Sequence, residues 1–447
     1  MTKIFGTDGA RGLVTQELDS ELALKIGAAT ARILKKKRKK LTFLVGTDTR
    51  VSKDLLTSAL TAGVLGENAN IVDLGVIPTP AISYLITKYK ADGGFVISAS
   101  HNPKEYNGIK VFNNKGFKLA DEIEDQIEDI ILNDFETTKD NNLVGTYRKE
   151  TNAYNDYVDY LVSTIDTKLD GLHIGIDTAN GAASVTAPLL FEKLNAKVEF
   201  INNTPDGYNI NDKCGSTHLE QLQKFVVEKK LDCGIAYDGD ADRCLFIDNK
   251  GNVIDGDYTL AIYGLYLKKK KKLKNNTIVG TIMSNLGFIK FCEANNINFE
   301  ATKVGDRYVL ENMLKNNYII GGEQSGHIIF KDFANTGDGE LTCLQILNIM
   351  TKENKSLSEL ASIMNKYPQV LKNLPVSKEI KETYKDNKNI QNKIKEIENK
   401  LGNNGRLLIR PSGTENLIRV MLEGQDIKEI TKYCDDIIET IKKEIEE

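Results

Sequence analysis

One pattern occurs three times along this chain: a β-type apolar run ends in a polar turn, and a helical stretch and a second strand candidate follow. Strands that alternate with helices predict βαβ units and largely parallel sheets. The chain is therefore expected to contain three related α/β domains. The paired strand candidates lie at residues 41–46 with 70–74, 172–176 with 197–201, and 277–280 with 298–302.

A further strand in each repeat ends at a loop rich in polar side chains. In parallel α/β sheets, ligands bind at the carboxyl ends of the strands. We therefore expect the three loops to contribute to one shared cleft. The strands and their loops are 94–97 with the Ser100 loop, 233–236 with the Asp238 loop, and 318–320 with the Glu323 loop.

The last part of the chain has a different pattern. Residues 378–400 are mostly polar and predict an exposed helix or helix pair. Short strands are predicted at 406–410 and 417–423, and apolar residues at helical spacing predict an amphipathic helix over 427–445. These elements indicate a small α+β domain.

The predicted fold class is α/β, with three related α/β domains of mixed, largely parallel sheets plus a smaller C-terminal α+β domain, around one central cleft. A length of 447 residues agrees with three or more domains of roughly 150 residues each. The expected domain ranges are 1–153, 154–252, 253–368 and 369–447.

Composition restricts the function class. A net charge of −4 argues against a general nucleic-acid binder, and the lysine-rich runs at 35–40 and 268–274 are interpreted as solvated helix ends or loops. No apolar run approaches the ~18 residues of a membrane span, and no signal-peptide core is present. The six cysteines form no C-x-x-C pair and are expected to be reduced thiols. We therefore expect a cytoplasmic protein.

The Asp238 loop has aspartates at alternate positions, Asp238, Asp240 and Asp242, and is closed by Arg243. Such carboxylates raise each other's pKa and are costly without a cation, and hard oxygen ligands suit a magnesium-like ion. A calcium EF-hand is excluded because the required glycine and glutamate are replaced by Arg243 and Asn249. The alternative is a surface acidic turn.

The Ser100 loop places a serine directly after an apolar run. It lacks the G-x-S-x-G elbow of hydrolases, and His101, as the adjacent residue, is not expected to point its ring at the serine hydroxyl. Alone, the loop could be an ordinary Ser-Asn-Pro turn. Together with a metal loop on an analogous strand, it suggests phosphoryl transfer through a covalent phosphoserine.

Two other loops are candidates for substrate binding. Arg410, Ser412, Thr414 and Arg419 are of the kind that binds a phosphate, although a hairpin turn with surface arginines is an open alternative. The Glu323 loop suits a polyhydroxylated ligand. Its His327, taken alone, is more often a structural histidine than a proton carrier. The absence of a Walker A or Rossmann glycine pattern argues against a nucleotide-dependent kinase.

Together these motifs resemble the α-D-phosphohexomutase superfamily over nearly the whole chain, beginning with residues 5–12. Gln324 and the sequence Ser412-Gly413-Thr414 favour the branch that acts on glucosamine phosphates, while Asn416 departs from the proline usual in the family. The other motifs are SASHNP at 98–103, NGIKVF at 107–112, DGDADR at 238–243, GEQSGH at 322–327, TGDG at 336–339 and RPSGTENLIRVMLEG at 410–424.

The resemblance implies roles for individual residues. Ser100 would be the phosphoserine, and Mg²⁺ would be held by the Ser100 phosphate with Asp238, Asp240 and Asp242. The remaining residues implied in catalysis are Arg243, Lys110 and His327, and those implied in substrate binding are Arg11, Glu323, Ser325, Arg410, Ser412, Gly413, Thr414 and Arg419.

The activity implied is the interconversion of glucosamine 6-phosphate and glucosamine 1-phosphate through a 1,6-bisphosphate, which feeds UDP-N-acetylglucosamine and cell-wall synthesis. A hexose 1,6-bisphosphate would act as activator. The expected partner is a small sugar phosphate, with no nucleic acid and no membrane, and a homodimer is left open. The alternatives are a phosphomannomutase or phosphoglucomutase, or a non-catalytic sugar-phosphate-binding protein of the same fold.

Overall fold

A computed structural model describes residues 3–6, 8–35, 40–133, 135–136, 143–412 and 416–446. Within these residues the strands form four sheets, and the chain divides into two compact units. The first unit is Met1–Met283 with Asn296–Ile363, and the second is Ser284–Asn295 with Met364–Glu447. No helix among the described residues combines the length and the apolar composition needed to cross a membrane.

The first unit begins with a mixed sheet. Its elements are β1 (Phe5–Gly6), β2 (Gly9–Leu13), α1 (Ser20–Lys35), β3 (Thr42–Thr47), α2 (Lys53–Gly66), β4 (Asn70–Val76), α3 (Thr79–Lys88), β5 (Gly93–Ile97), β6 (Tyr106–Asn113), α4 (Asp121–Asn133) and β7 (Tyr147–Lys149). The strand order is β1-β2-β6-β5-β3-β4-β7, in which β5, β3, β4 and β7 are parallel. Strand β6 runs antiparallel to β5 and β2.

The second sheet repeats this arrangement. Its elements are α5 (Ala153–Ser163), β8 (His173–Asp177), α6 (Ala183–Lys193), β9 (Lys197–Ile201), α7 (Glu220–Lys229), β10 (Cys233–Tyr237), β11 (Cys244–Asp248) and β12 (Val253–Ile254). The strand order is β12-β11-β10-β8-β9, with β10, β8 and β9 parallel and β11 antiparallel to β10.

A third, shorter sheet completes the first unit. The next elements of the chain are α8 (Gly256–Lys269), β13 (Thr277–Thr281), α9 (Leu286–Ala294), β14 (Asn298–Thr302), α10 (Asp306–Asn316), β15 (Ile320–Gly322), β16 (Ile328–Phe330), α11 (Gly339–Glu353) and α12 (Leu357–Ala361). The strand order is β14-β13-β15-β16, with only β16 antiparallel to its neighbour. Helix α9 belongs to the second unit.

The second unit contains an antiparallel sheet with the order β17-β19-β18. Its elements are β17 (Gln369–Pro375), α13 (Lys378–Thr383), α14 (Lys388–Leu401), β18 (Arg406–Pro411), β19 (Leu417–Glu423) and α15 (Ile427–Glu446). Ile397, Val420 and Ile437 are buried in its core. Burial of such a side chain contributes about 1.5–3 kcal/mol.

The mixed, largely parallel sheets and the α+β character of the last region confirm the predicted fold class, whereas the placement of all four regions around one cleft stays a prediction. One predicted strand is present with different bounds: residues 318–320 were expected, but β15 covers Ile320–Gly322. A Cβ at Gly321 would lie 2.7 Å from Met313 Sδ, so this glycine allows α10 to pack closely on the strand.

The two lysine-rich runs have different outcomes. Most of the run at 35–40 lies outside the described residues. The run at 268–274 covers the end of α8, where residues 269–272 are exposed, as expected for a solvated helix end.

Each of the three polar loops in the first unit lies between the last parallel strand of its sheet and an antiparallel partner. The sequence predicted the strand before each loop but not the antiparallel strand after it. The pairs are β5 with β6, β10 with β11, and β15 with β16.

Candidate active site

Ser100 has a constrained backbone in the loop between β5 and β6. Its φ of 53° lies in the left-handed region that few residues other than glycine adopt, and it is 2% exposed. The Ser100 N–H donates to Ser98 Oγ at 2.9 Å, and Ser100 Oγ donates to Asp238 Oδ2 at 2.6 Å. The structure therefore brings together the two loops that the sequence singled out.

The fully buried side chain of Arg50 supports the carbonyl groups of the serine loop. Its Nη2 donates to Ser100 O at 3.0 Å and to Asn102 O at 2.8 Å, and its Nη1 donates to Pro103 O. Its Nε lies 2.9 Å from Asp48 Oδ2, and neither side chain is exposed. One guanidinium therefore fixes the loop and is itself neutralised.

Two further side chains complete this support. Asp48 Oδ2 accepts a hydrogen bond from Ser98 Oγ at 2.6 Å. Asn211 Nδ2 donates to Ser100 O at 2.8 Å and to Asn102 O at 3.1 Å. Neither side chain nor Arg50 was predicted, because residues 47–50 were interpreted only as a polar turn.

Replacing Arg50 with lysine is expected to lower the free energy of unfolding by about 3 kcal/mol. Lysine keeps the charge, but one ammonium cannot reach the Asp48 carboxylate and all the loop carbonyls together. Urea unfolding measures the change, with Arg148→Lys as the control because the side chain of Arg148 is 59% exposed. A loss no larger than that of the control contradicts the proposed support.

The metal loop provides a set of carboxylates that fits a cation. Ligand atoms of Asp238, Asp240 and Asp242 lie within 4.8 Å of one another, and all three residues are buried. Among the described residues, Asp240 Oδ1 and Asp242 Oδ1 are buried without a hydrogen-bond partner. Because unpaired buried carboxylate oxygens are costly, a bound divalent cation would satisfy them.

The electrostatics of the loop also favour the binding of a cation. Burial, together with repulsion from Asp242 and Asp240, raises the pKa of Asp238 well above its ordinary value. Burial alone would also raise the pKa of Asp240, but Lys110 Nζ at 2.9 Å and Thr79 Oγ1 at 2.6 Å lower it. A cation would stabilise all three carboxylates in the ionised form.

Backbone contacts hold the metal loop against its neighbours. A Cβ at Gly239 would lie 2.6 Å from Ser100 O, so glycine is required where the two loops touch. Backbone hydrogen bonds reach the loop from α3, from the start of α6 and from the start of α11. These bonds are Thr79 N to Asp240 O at 3.0 Å, Ala182 N to Gly239 O at 2.8 Å, and Gly339 N to Ala241 O at 2.9 Å.

A buried cation adjoins the metal loop. Lys110 Nζ lies 3.1 Å from Asp8, 2.9 Å from Asp240 and 3.4 Å from Asp242, and the side chain is 1% exposed. Burial alone would lower the pKa of Lys110, but these carboxylates raise it well above its ordinary value. Arg11 is ion-paired with Asp8. The sequence singled out Lys110 and Arg11, but it did not identify Asp8.

His101 and Arg243 flank the serine and the carboxylates. His101 Nδ1 lies 3.4 Å from Ser100 Oγ, so the expectation that this ring would not point at its neighbour is wrong. Burial, with Arg243 and Arg11 nearby, lowers the pKa of His101 to about 4, so the ring is neutral at pH 7. Arg243 N donates to Asp238 Oδ1 at 3.1 Å, and its Nε lies 3.9 Å from Asp242 Oδ1.

The Glu323 loop joins β15 to β16. Glu323 Oε1 accepts a hydrogen bond from Gly305 N at 3.1 Å, and Ser325 is half-buried. His327 is buried, and its Nε2 lies 3.2 Å from Gly337 N and 3.5 Å from Asp306 Oδ2. The ring therefore has structural contacts, as the alternative interpretation anticipated.

The second unit holds two arginines on neighbouring strands. Arg410 of β18 is the register partner of Arg419 of β19. Like charges directly opposite each other destabilise a strand pair, and burial with Arg419 nearby lowers the pKa of Arg410. Such a pair suits an anion. Ser412 is buried beside it in sequence, whereas Gly413 and Thr414 lie outside the described residues.

Comparison with known proteins identifies the family. The chain matches the domains of the phosphoglucomutase/phosphomannomutase family: alpha/beta/alpha domain I at residues 2–138, domain II at 154–251, domain III at 255–367 and the C-terminal domain at 371–440. The chain belongs to this family. Each matched segment falls inside one predicted domain, although the exact boundaries stay predictions.

Individual proteins that are similar to the chain support this family assignment. The chain is 52% identical to phosphoglucosamine mutase of Clostridium acetobutylicum over 445 residues, 99% of each chain. It resembles the crystal structure of a family protein from Burkholderia thailandensis, with a TM-score of 0.82, 21% identity, and 98% and 97% of the two chains covered. A second similar structure is Aspergillus fumigatus N-acetylphosphoglucosamine mutase in complex with GlcNAc-6P and magnesium, with a TM-score of 0.68, 14% identity, and 98% and 95% of the two chains covered.

Proposed function

We propose that this protein interconverts glucosamine 6-phosphate and glucosamine 1-phosphate, with Ser100 as the residue that carries the transferred phosphoryl group. The observation that carries the proposal is the 2.6 Å hydrogen bond from Ser100 Oγ to Asp238 Oδ2, beside two more buried aspartates. The 52% identity to a phosphoglucosamine mutase over nearly the full chain supports the choice of sugar. The product would feed UDP-N-acetylglucosamine and cell-wall synthesis.

The carboxylates fit a magnesium ion. Asp238, Asp240 and Asp242 would hold it together with the phosphate on Ser100. When bound, the ion neutralises charge on the phosphoryl oxygens and so lowers the barrier to transfer. Arg243 and Lys110 add fixed positive charge next to these carboxylates.

In the first step, O1 of glucosamine 6-phosphate attacks the phosphorus carried by Ser100. The O1–P bond forms, the bond from P to Ser100 Oγ breaks, and the proton of the sugar hydroxyl passes to a base. The resulting 1,6-bisphosphate turns, and Ser100 Oγ attacks the 6-phosphate in the reverse sense. Glucosamine 1-phosphate leaves, and Ser100 is phosphorylated again. A trace of hexose 1,6-bisphosphate would restore enzyme that has lost its phosphate.

The remaining predicted residues bind the substrate in this proposal. Glu323 and Ser325 contact sugar hydroxyls, and Arg11 and His327 contribute to binding or proton transfer. The phosphate that is not transferred binds Arg410, Ser412, Gly413, Thr414 and Arg419.

The alternatives are less well supported. A phosphomannomutase or phosphoglucomutase is not favoured, because relatives at about half identity over the full length are phosphoglucosamine mutases. A non-catalytic binding protein of this fold would not need Ser100 and every loop aspartate, all of which are present. A homodimer and a cytoplasmic location stay predictions.

The activity is tested by supplying glucosamine 6-phosphate with Mg²⁺ and a trace of glucose 1,6-bisphosphate, and following glucosamine 1-phosphate. The kcat/KM on glucosamine 6-phosphate should exceed that on glucose 6-phosphate and mannose 6-phosphate. A preference for either of the other sugars would contradict the proposal. Intact mass should show one phosphate on the chain, located on Ser100 by fragmentation.

Replacing Arg410 with glutamine is expected to raise KM for glucosamine 6-phosphate about tenfold or more, because a charge-assisted hydrogen bond to phosphate is lost. Initial rates over a range of substrate concentrations measure KM. Lys393→Gln is the control, since Lys393 lies on α14 and pairs with Glu396 at 2.7 Å. An unchanged KM in Arg410→Gln would exclude this residue from the phosphate site.

A further inference from the structure

Lys118 occupies a position that the proposed reaction does not explain. It follows β6 and α4 begins three residues later, and its Nζ contacts two carboxylates from distant parts of the chain. One is Asp8, between β1 and β2, and the other is Asp306 Oδ2 at 2.6 Å, the first residue of α10. The side chain of Lys118 is 18% exposed. It therefore joins the first sheet region to the third.

On the Asp8 side, the contact leads to the phosphoryl-transfer residues. Asp8 also pairs with Arg11 and lies 3.1 Å from Lys110 Nζ. Lys110 in turn lies 2.9 Å from Asp240 of the metal loop. Burial alone would raise the pKa of Asp8. The cations Lys110, Lys118 and Arg11 lower it well below its ordinary value, so Asp8 is an anion.

On the Asp306 side, the contact leads to the sugar loop. Asp306 directly follows Gly305, whose N–H donates to Glu323 Oε1 at 3.1 Å. Asp306 Oδ2 also lies 3.5 Å from His327 Nε2. The start of α10 thus contacts both side chains that bracket the Glu323 loop.

Neighbouring hydrogen bonds fix the backbone around Lys118. Arg307 Nη2 donates to Leu119 O at 3.1 Å, and Asn335 Nδ2 donates to Lys115 O at 3.1 Å. These bonds hold the backbone on both sides of Lys118, so the ion pair does not depend on a freely moving lysine.

We propose that Lys118 is a positioning residue that holds the Glu323 loop at a fixed distance from the Ser100–Asp238 centre, through Asp8 on one side and Asp306 on the other. The inference rests on the proposed function, because it assigns the sugar to the Glu323 loop. Lys118 Nζ contacts a carboxylate from each of the two regions, so it acts through these partners.

Lys118→Met is expected to lower kcat/KM on glucosamine 6-phosphate about 10²-fold, because small displacements of positioning groups have effects of this size. Discrimination against galactosamine 6-phosphate, the C4 epimer, should fall about tenfold, since hydroxyl recognition loosens. The Mg²⁺ concentration for half-maximal activity should stay as in the wild type, because the aspartates are untouched. Lys118→Arg should recover most of the activity.

Lys115→Met is the matched control, because Lys115 is exposed and its hydrogen bonds within the described part of the chain are made by its backbone N–H and carbonyl. Asp306→Asn is a second variant, which preserves the shape of the side chain and should show the same loss of epimer discrimination. It keeps the proposal testable if Lys118→Met folds poorly. The double variant Lys118→Met/Asp306→Asn should lose little beyond Lys118→Met, since both substitutions weaken the contact between Lys118 and Asp306.

Unchanged epimer discrimination in both single variants would overturn the proposal, as would additive losses in the double variant. A drop in activity explained by a lower Tm alone, and reversed at low temperature, would likewise assign Lys118 a purely structural role. Wild-type protein that converts no glucosamine 6-phosphate would instead contradict the proposed function, which is measured first and separately.

Discussion

Ser100→Ala is expected to lower kcat for glucosamine 6-phosphate at least about 10⁴-fold, because removal of a covalent nucleophile abolishes the route through the enzyme intermediate. The variant also loses the hydrogen bond to Asp238 Oδ2, but a single buried contact of this kind changes stability only modestly. The fold and the cation site should therefore persist. Intact mass should show no phosphate, and Tm should stay near that of the wild type.

Ser58→Ala is a suitable control, since Ser58 is exposed on α2. It should keep full activity and the phosphate. Turnover of Ser100→Ala at a rate comparable with the control would show that the phosphoryl group is not carried by Ser100. Loss of activity together with a retained phosphate would place the modification on another residue.

Asp242→Asn is expected to lower kcat about 10³-fold and to raise the Mg²⁺ concentration required, because one charged ligand is removed from the cation site. Asp242 is the cleaner choice for this test. Its Oδ2 accepts a long hydrogen bond from Lys110 at 3.4 Å, whereas Asp240 Oδ2 accepts shorter ones from Thr79 at 2.6 Å and from Lys110 at 2.9 Å. Activity as a function of Mg²⁺ concentration, with isothermal titration of the ion, measures both effects.

Asp212→Asn controls for loss of an exposed carboxylate in the same region. It should bind Mg²⁺ as the wild type does. Asp242→Asn should lose Mg²⁺ affinity without a change in the far-ultraviolet circular dichroism spectrum, because the loop is held by its backbone hydrogen bonds. Normal Mg²⁺ affinity in Asp242→Asn would remove this residue from the metal site.

The repeated strand–helix pattern predicted most of the strands and helices, because these depend on the local periodicity of apolar residues. Strands such as β9, Lys197–Ile201, and β14, Asn298–Thr302, match the prediction. Strand β17, Gln369–Pro375, was missed because its residues alternate weakly and Pro375 ends it. The pairing of β6 with β2 could not be predicted, since the two strands are far apart in sequence.

The sequence predicted those residues of the candidate site that lie together in short motifs. Asp238, Asp240 and Asp242 are recognisable because alternate carboxylates are unusual in a tight turn. Arg50 and Lys118 were missed for the opposite reason. Each is a single cation in an ordinary polar stretch, and its importance arises only from partners that are distant in sequence, Ser100 for one and Asp306 for the other.

The serine and the carboxylates come from different sheets, and each half is incomplete alone. Ser100 Oγ donates to Asp238, which lies 138 residues further along the chain. Asn211 and Arg50 both donate hydrogen bonds to the Ser100 carbonyl oxygen. A polypeptide released before the second sheet is made would contain the serine but no carboxylates. Catalytic competence is therefore an all-or-none property of the docked regions, and truncated or partly synthesised chains should be inert toward sugar phosphates.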